Sequence, residues 1–279
     1  MNKPLLIADL NGTGWGIQEN TRRVIKILDN SVDILDYSKT LYIPKIMPLK
    51  RTIKLFIFNN FIIKDKVKNK NVLFNSPGTL WNHKVLKYIN KSAIVVHDTY
   101  ILREDYPKNI GYYLSGRKVK YDTLHLDDYD YIFPVSDLTR DNIVNKYKLV
   151  SSNKVKIINW SIIPNEFQPL PKQKKDKAII GYINNFNWNK IKMFRYFIER
   201  FIEINPRDIE FHIYGKNLPK EIVQRIKNIN NIKYFGYLPE DKVVETTNSF
   251  DAYLSTSIVE GFGLPIMQAK ACKVPVLCY

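Results

Sequence analysis

The chain has 279 residues, 45% of them hydrophobic and 25% charged, an ordinary balance for a folded protein with one large domain or two modest ones. It carries 43 Lys and Arg against 27 Asp and Glu, a formal charge of +16, which favours anionic partners without choosing among them. Its N-terminus lacks a secretory pattern, no run reaches the roughly 18 apolar residues of a membrane-spanning helix, and Cys272 and Cys278 form neither a disulfide framework nor a metal-ligand spacing; a reducing, cytoplasmic location is expected.

Residues 5–8 (LLIA) have the character of a buried strand and run into Asn11-Gly12-Thr13-Gly14-Trp15-Gly16-Ile17, a glycine-rich turn that suits many nucleotide-binding folds. A helix is expected over 17–28, where Ile17, Thr21, Val24, Ile25 and Leu28 share one stripe, followed by a strand at 32–35. From Lys45 to Lys70 the basic residues Lys45, Lys50, Arg51, Lys54, Lys64, Lys66, Lys68 and Lys70 face Asp65 alone and bracket the apolar stretch 53–63. Such a segment either lies at an anionic membrane surface or is a buried helix with a solvated basic rim. Further strands are expected at 72–75, 93–97, 131–135 and 155–158, with Ser136 capping the helix that begins at Asp137. Residues 160–177 contain Pro164, Pro169, Pro171 and a run of charge, and they resist regular structure. They separate a domain over 1–168 from one over 177–279. The second holds strands at 178–183, 210–214, 232–235, 252–254 and 274–277.

Short apolar runs alternating with amphipathic ones give an α/β class with parallel strands and crossover helices. Ligands bind such sheets beyond the carboxyl ends of their strands, so the residues just after strands carry the chemistry. After 252–254 comes Ser255-Thr256-Ser257-Ile258-Val259-Glu260-Gly261-Phe262-Gly263-Leu264-Pro265, then a helical segment through Gln268. Gly261 and Gly263 permit a tight turn that presents backbone N–H groups where a helix N-terminus favours an anion. A carboxylate at Glu260 does not favour that anion; it accepts hydrogen bonds from neutral hydroxyls. A sugar attached to a diphosphate satisfies both demands.

The run Glu260-Gly261-Phe262-Gly263-Leu264-Pro265, continuing as Gln268-Ala269-Lys270-Ala271-Cys272-Lys273-Val274-Pro275-Val276, resembles the family of retaining glycosyltransferases numbered four in the usual classification. The resemblance implies a GT-B architecture of two facing Rossmann-like domains with parallel sheets, the C-terminal one shortened because the chain stops at Tyr279. It also implies a metal-independent hexosyl transfer from a nucleotide-sugar donor, with no cofactor required. By the same resemblance Glu260 binds donor-sugar hydroxyls, the amides of Gly261, Phe262, Gly263 and Leu264 meet sugar and phosphate, and Gln268 takes the place of a Glu on the nucleotide ribose. Gly16 belongs to the glycine-rich loop over the donor. His97, in the strand-end pair His97-Asp98, bonds the sugar near the reacting centre, and Lys190 holds the diphosphate. Gly215 and Leu238 follow the strands that hold the base.

Departures from the pattern are Gln268 for Glu, Lys273 for a helix-ending Gly, and Asn184 or Asn185 near an Arg position, with Lys192 and Arg195 more readily read as a solvated helix face. They leave open a second reading, a degenerate GT-B protein that binds a nucleotide sugar or a partner without catalysis. The expected acceptor is lipid-linked or a glycan, approached at an anionic membrane surface through Lys45 to Lys70. No nucleic-acid motif accompanies the charge, so nucleic acid is not an expected partner.

Overall fold

The computed structural model describes residues 3–8, 10, 21–22, 25, 31–39, 53, 56–107, 110–158, 166–172, 175–186 and 188–278. The chain divides into two compact units, Met1–Trp160 and Ser161–Tyr279. In the first, β1 (Leu5–Ala8), β2 (Asp33–Asp36), β3 (Asn71–Phe74), β4 (Lys91–Val96) and β5 (Tyr131–Pro134) form a parallel sheet ordered β2-β1-β3-β4-β5. In the second, β6 (Ala178–Ile183), β7 (Ile209–Tyr214), β8 (Ile232–Gly236), β9 (Ala252–Ser255) and β10 (Val276–Cys278) are ordered β10-β9-β6-β7-β8, again all parallel. Each sheet reverses its winding once, between β1 and β3 in the first unit and between β6 and β9 in the second. At such a switch point the two flanking connections leave on opposite faces and open a crevice beyond the strand ends.

Strand boundaries agree with the sequence to within one or two residues, with one exception. Residues 155–158 form no strand: Val155 makes an isolated parallel bridge to Ile132, and the amides of Lys156 and Ile158 donate to the carbonyls of Ile132 and Pro134. Pro134 has no N–H with which to return a bond, so the ladder stops there. The expected helix over 17–28 is seen at Thr21, Arg22 and Ile25; its other positions lie outside the described residues.

Sequence period explains the packing. In α4 (Trp188–Ile204; α1 is Ile63–Val67, α2 Ile110–Leu124 and α3 Asp137–Asp141), Phe194, Ile198 and Phe201 recur at helical spacing and are buried against Phe211 and Ile213 of β7. Its outer face carries Arg195 and Glu199, which pair with Glu221 and Arg225 of α5 (Lys220–Ile226). Arg195 therefore sits in an exposed ion pair, as a solvated helix face predicts. Ser136 caps α3 as expected, in extended backbone with its Oγ accepting from Thr139 N–H at 3.2 Å. In the basic segment Phe58, Ile63 and Val67 enter the core while Lys64, Lys66 and Lys68 are exposed, the arrangement of a buried helix with a solvated rim. Phe56 and Phe61 nevertheless face outward, 51% and 71% exposed. Among the described residues no helix is long and apolar enough to cross a membrane.

The loop after β3 is pinned by a buried carboxylate. Asp122, near the end of α2, is wholly buried. It accepts from Gly78 N–H at 2.8 Å, Leu80 N–H at 3.4 Å and Tyr129 O–H at 2.8 Å, and its Oδ1 lies 3.1 Å from His83 Nε2. His83 Nδ1 lies 2.7 Å from Asp128. Burial opposes a charge on this ring, but the hydrogen bonds and attraction of Asp122 and Asp128 outweigh it and raise the His83 pKa above its ordinary value. The charged form is thus bound more tightly in the folded chain. Its stabilisation is complete below an unfolded pKa of about 6.5 and fades as the pH rises through the higher folded value. Melting curves of wild type and His83→Gln should differ most near pH about 6 and converge toward pH about 9; a pH-independent gap would show that His83 is neutral in the fold.

Candidate functional site

The second unit's switch point is flanked by two turns. β6 leads through Asn184, Asn185 and Phe186 toward α4, and β9 leads through residues 256–263 into α7 (Leu264–Ala271; α6 is Val243–Asn248). Side chains lace the two turns together. Asn189, buried at the start of α4, donates from Nδ2 to the Val259 carbonyl at 2.6 Å, and its own carbonyl accepts from Ile258 N–H at 3.2 Å. The Thr256 hydroxyl lies 3.2 Å from the Lys190 carbonyl and 3.3 Å from the Tyr182 hydroxyl. Burial pushes the Tyr182 phenol up, so it stays neutral.

This lacing brings two of the expected residues into contact. Lys190 Nζ stands 3.3 Å from Glu260 Oε1 and donates to Asn184 Oδ1 at 2.6 Å; Ser257 Oγ donates to the same Glu260 oxygen at 2.5 Å. The Lys190 side chain is 12% exposed and that of Glu260 25%. The pair is dry enough for its charges to matter more than those of a surface salt bridge, which is worth about 0–1 kcal/mol, yet it remains within reach of a ligand. A cation beside a hydroxyl-accepting carboxylate can address a phosphate and a neutral polar group at once.

Asn184 is itself positioned by a glycine. Its N–H donates to the Tyr214 carbonyl at 3.0 Å, and its carbonyl oxygen lies so close to Gly215 that a Cβ there would meet it at 1.7 Å. Gly215 has φ +148° and donates its N–H to the Gly236 carbonyl at 2.7 Å. Only a residue without a side chain allows this approach. Gly263 is a second such position: at φ +75° it is the N-cap of α7, and Pro265 occupies the second helical position. At the other end of α7 Lys273 takes the left-handed conformation, φ +56°, that a Gly would adopt more cheaply, by roughly 1 kcal/mol.

The other expected residues distribute as follows. Gly261 and Phe262 are partly buried in the turn before α7, Leu264 is buried as its first residue, and Leu238 is partly buried two residues past β8. Gln268 lies inside α7, 3% exposed, with its Nε2 lacking a hydrogen-bond partner. Gly16 lies outside the described residues. His97 belongs to the first unit, where it directly follows β4 and its Nε2 lies 2.7 Å from the Asn75 carbonyl. Burial drives its pKa down to about 4, so the ring is neutral near pH 7, with its proton on Nε2 toward that carbonyl. Asn189 and Ser257 were not anticipated: one is an ordinary polar residue in the first turn of a helix, the other in a loop, and only folding shows what each holds. Among the described residues no group of three or more His, Cys, Asp or Glu side chains is arranged to hold a metal ion.

Two parallel α/β units with polar groups at the strand ends have the architecture of the GT-B fold, and comparison with known proteins agrees. Residues 177–279 match the family Glycosyl transferases group 1. The GPI3 subunit of phosphatidylinositol N-acetylglucosaminyltransferase from Saccharomyces cerevisiae is 23% identical over 167 residues, which is 56% of this chain and 36% of the yeast protein. The match thus spans little more than a third of that relative. Sucrose-phosphate synthase from Thermosynechococcus elongatus superposes with a TM-score of 0.67 at 12% identity, covering 99% of this chain and 81% of that one. S. aureus TarM, solved as a mutant with fondaparinux, alpha-GlcNAc-glycerol and UDP, gives 0.58 at 19% identity over 81% of this chain and 44% of its own. At such identities the likeness is one of fold.

The site depends on the Gly215 contact, so Gly215→Ala should cost more than about 2 kcal/mol in denaturant unfolding of the second unit. The same variant should displace Asn184 and with it Lys190. Unchanged stability would mean that the Asn184 carbonyl moves aside at little cost.

Proposed function

We propose that the chain transfers a hexosyl group from a nucleoside-diphosphate sugar to an acceptor hydroxyl with retention of anomeric configuration. The observation that carries this reading is the Lys190–Glu260 contact at the switch point, beside the glycine turn that opens α7. In this reading Lys190 and the amides of Gly261 to Leu264 stabilise the charge that grows on the departing diphosphate. Glu260, already an acceptor from Ser257, takes sugar hydroxyls. Gln268 offers a buried amide donor to a ribose oxygen, and Gly215 and Leu238 border the base. His97, neutral by burial, is assigned to the sugar because it adds hydrogen bonding without adding charge; Gly16 is assigned to the loop over the donor. The C1–O bond to the phosphate breaks, the acceptor oxygen bonds C1 on the same face, and the acceptor proton passes to the leaving phosphate oxygen. Neither a metal nor a further cofactor enters this scheme.

The test is turnover of a panel of nucleotide sugars, with and without acceptors, by purified folded protein. Glu260→Ala and Lys190→Ala should each lower turnover by about 100-fold or more. Donor turnover unchanged in Glu260→Ala would end the assignment. A second reading, binding without transfer, is favoured by Gln268 and Asn184 standing where charged groups are expected; donor binding with no turnover under any acceptor would establish it.

We further propose that the acceptor is lipid-linked or a glycan reached at an anionic membrane surface, which places the chain at the cytoplasmic face. The outward Phe56 and Phe61 beside exposed Lys64, Lys66 and Lys68 support this. Vesicles with about one-third anionic lipid should retain the wild type at low salt and release much of Phe61→Ser. Equal retention of both would remove the phenylalanines from the interaction.

A further inference from the structure

The first unit has its own switch point, between β1 and β3, and Asn75 occupies it. It is the first residue after β3, and its N–H donates to the Ile7 carbonyl on β1 at 3.2 Å. The side chain is 4% exposed. Its Nδ2 donates to Thr21 Oγ1 at 3.1 Å, but its Oδ1 is buried with no hydrogen-bond partner. A buried amide oxygen without a partner is costly, and native folds rarely retain one without a use for it.

Among the described residues, Asn75 and the turn that follows it are held firmly. Its backbone carbonyl accepts from His97 Nε2 at 2.7 Å. The turn that follows is fixed by Thr79 Oγ1 donating to the Ser76 carbonyl at 2.8 Å and by Gly78 N–H on the buried Asp122. A single residue therefore orients His97 through its main chain and holds an unsatisfied polar atom on its side chain, at the strand ends where α/β sheets take their ligands.

We propose that the Asn75 carboxamide binds a hydroxyl of a sugar or polyol, making it a specificity residue of the first unit next to His97. The chemistry of the group selects the ligand class. As placed, the free atom is an acceptor and calls for a donor; with the amide turned over, the free atom would be Nδ2 and would call for an acceptor. A hydroxyl does both. A carboxylate or phosphate does only one, and the neutral His97 adds no cation to attract it. The proposal rests on the glycosyltransferase reading for its biological setting, but the binding it describes can be measured without turnover.

The experiment uses the full chain in two parallel measurements: ligand-observed NMR with neutral probes (glucose, mannose, N-acetylglucosamine, myo-inositol and glycerol), and calorimetric titration with uridine and guanosine diphosphates. Asn75→Leu removes the carboxamide at similar volume and Asn75→Ser shortens it, while the carbonyl that holds His97 is kept in both; thermal melts establish that each variant is folded. The wild type should bind at least one probe, both variants should weaken it by roughly tenfold, the worth of one hydrogen bond, and diphosphate affinity should be unchanged. Asn75→Leu should also melt no lower than wild type in the absence of ligand, since it removes an unsatisfied buried group. Equal probe binding by wild type and variants, or no probe binding by wild type, overturns the proposal. Absence of diphosphate and nucleotide-sugar binding in all three proteins would overturn the glycosyltransferase reading instead and leave the probe result to decide Asn75.

Discussion

The second unit's site depends on one steric constraint: the carbonyl of Asn184 rests where any side chain at residue 215 would have to be. That contact draws the end of β6 against the end of β7, and from it the rest follows in order. Asn184 Oδ1 accepts a hydrogen bond from the Lys190 ammonium, Lys190 reaches Glu260, and Glu260 is steadied by Ser257. Two of these four groups, Asn184 and Lys190, leave the chain within seven residues, from the turn before α4 and its first turn. The loop after β9, which carries the other two, is brought to them by Asn189, whose side chain and carbonyl both bond it. Each link is short and partly dry, so the ammonium and carboxylate are held in place before any ligand arrives, which is what electrostatic stabilisation of a leaving group requires.

The first unit solves a similar problem with a charge in place of a glycine. Asp122 is a buried carboxylate that meets two backbone N–H groups, a phenol and an imidazole. A buried carboxylate is tolerated only when so fully bonded, and removing one partner of a buried pair costs on the order of 3–5 kcal/mol. The result is that the turn after β3 cannot drift, and Asn75 at its start cannot carry His97 away from the end of β4. Burial holds the His97 pKa down at about 4, whereas the two carboxylates around His83 raise that ring's pKa above its ordinary value. Two histidines fourteen positions apart in sequence are thus shifted in opposite directions, for opposite local reasons.

Most of the fold was legible because parallel strands buried on both faces leave unmistakable apolar runs. Residues 178–183 were read without error, and nearly every other strand to within one or two positions. The failure at 155–158 is instructive: its composition suits a strand, but pairing is decided by the partner, and Pro134 on β5 cannot supply the return bond. In the site, the positions of Glu260, Lys190 and the glycine turn were visible because their spacing along the chain is local. That Lys190 and Glu260 touch was not, since they lie seventy residues apart and meet only through strand order. The roles of Asn184, Asn189 and Ser257 were hidden for the same reason. Lys273 shows the converse case, where a local rule held: a helix end that wants a left-handed residue has one, although a lysine fills it.

What the sequence had no means of marking is the absence of a partner. Among the described residues three buried side-chain atoms lack a hydrogen bond: Asn75 Oδ1, Asn189 Oδ1 and Gln268 Nε2. They are not scattered. Asn75 follows β3 at the switch point of the first sheet; Asn189 begins the helix after β6 and Gln268 lies in the helix after β9, the two strands that flank the switch point of the second. A fold that satisfied its other buried polar side chains had the means to satisfy these, by an apolar substitute if nothing else. Their shared location is where an α/β sheet leaves room for a molecule that is not part of the chain. All three are uncharged amides. An isolated carboxylate in the same burial would be far costlier to leave unmet, so in the proposed reading Gln268, standing where the resemblance has a glutamate, keeps a donor ready at less cost when no nucleotide is bound.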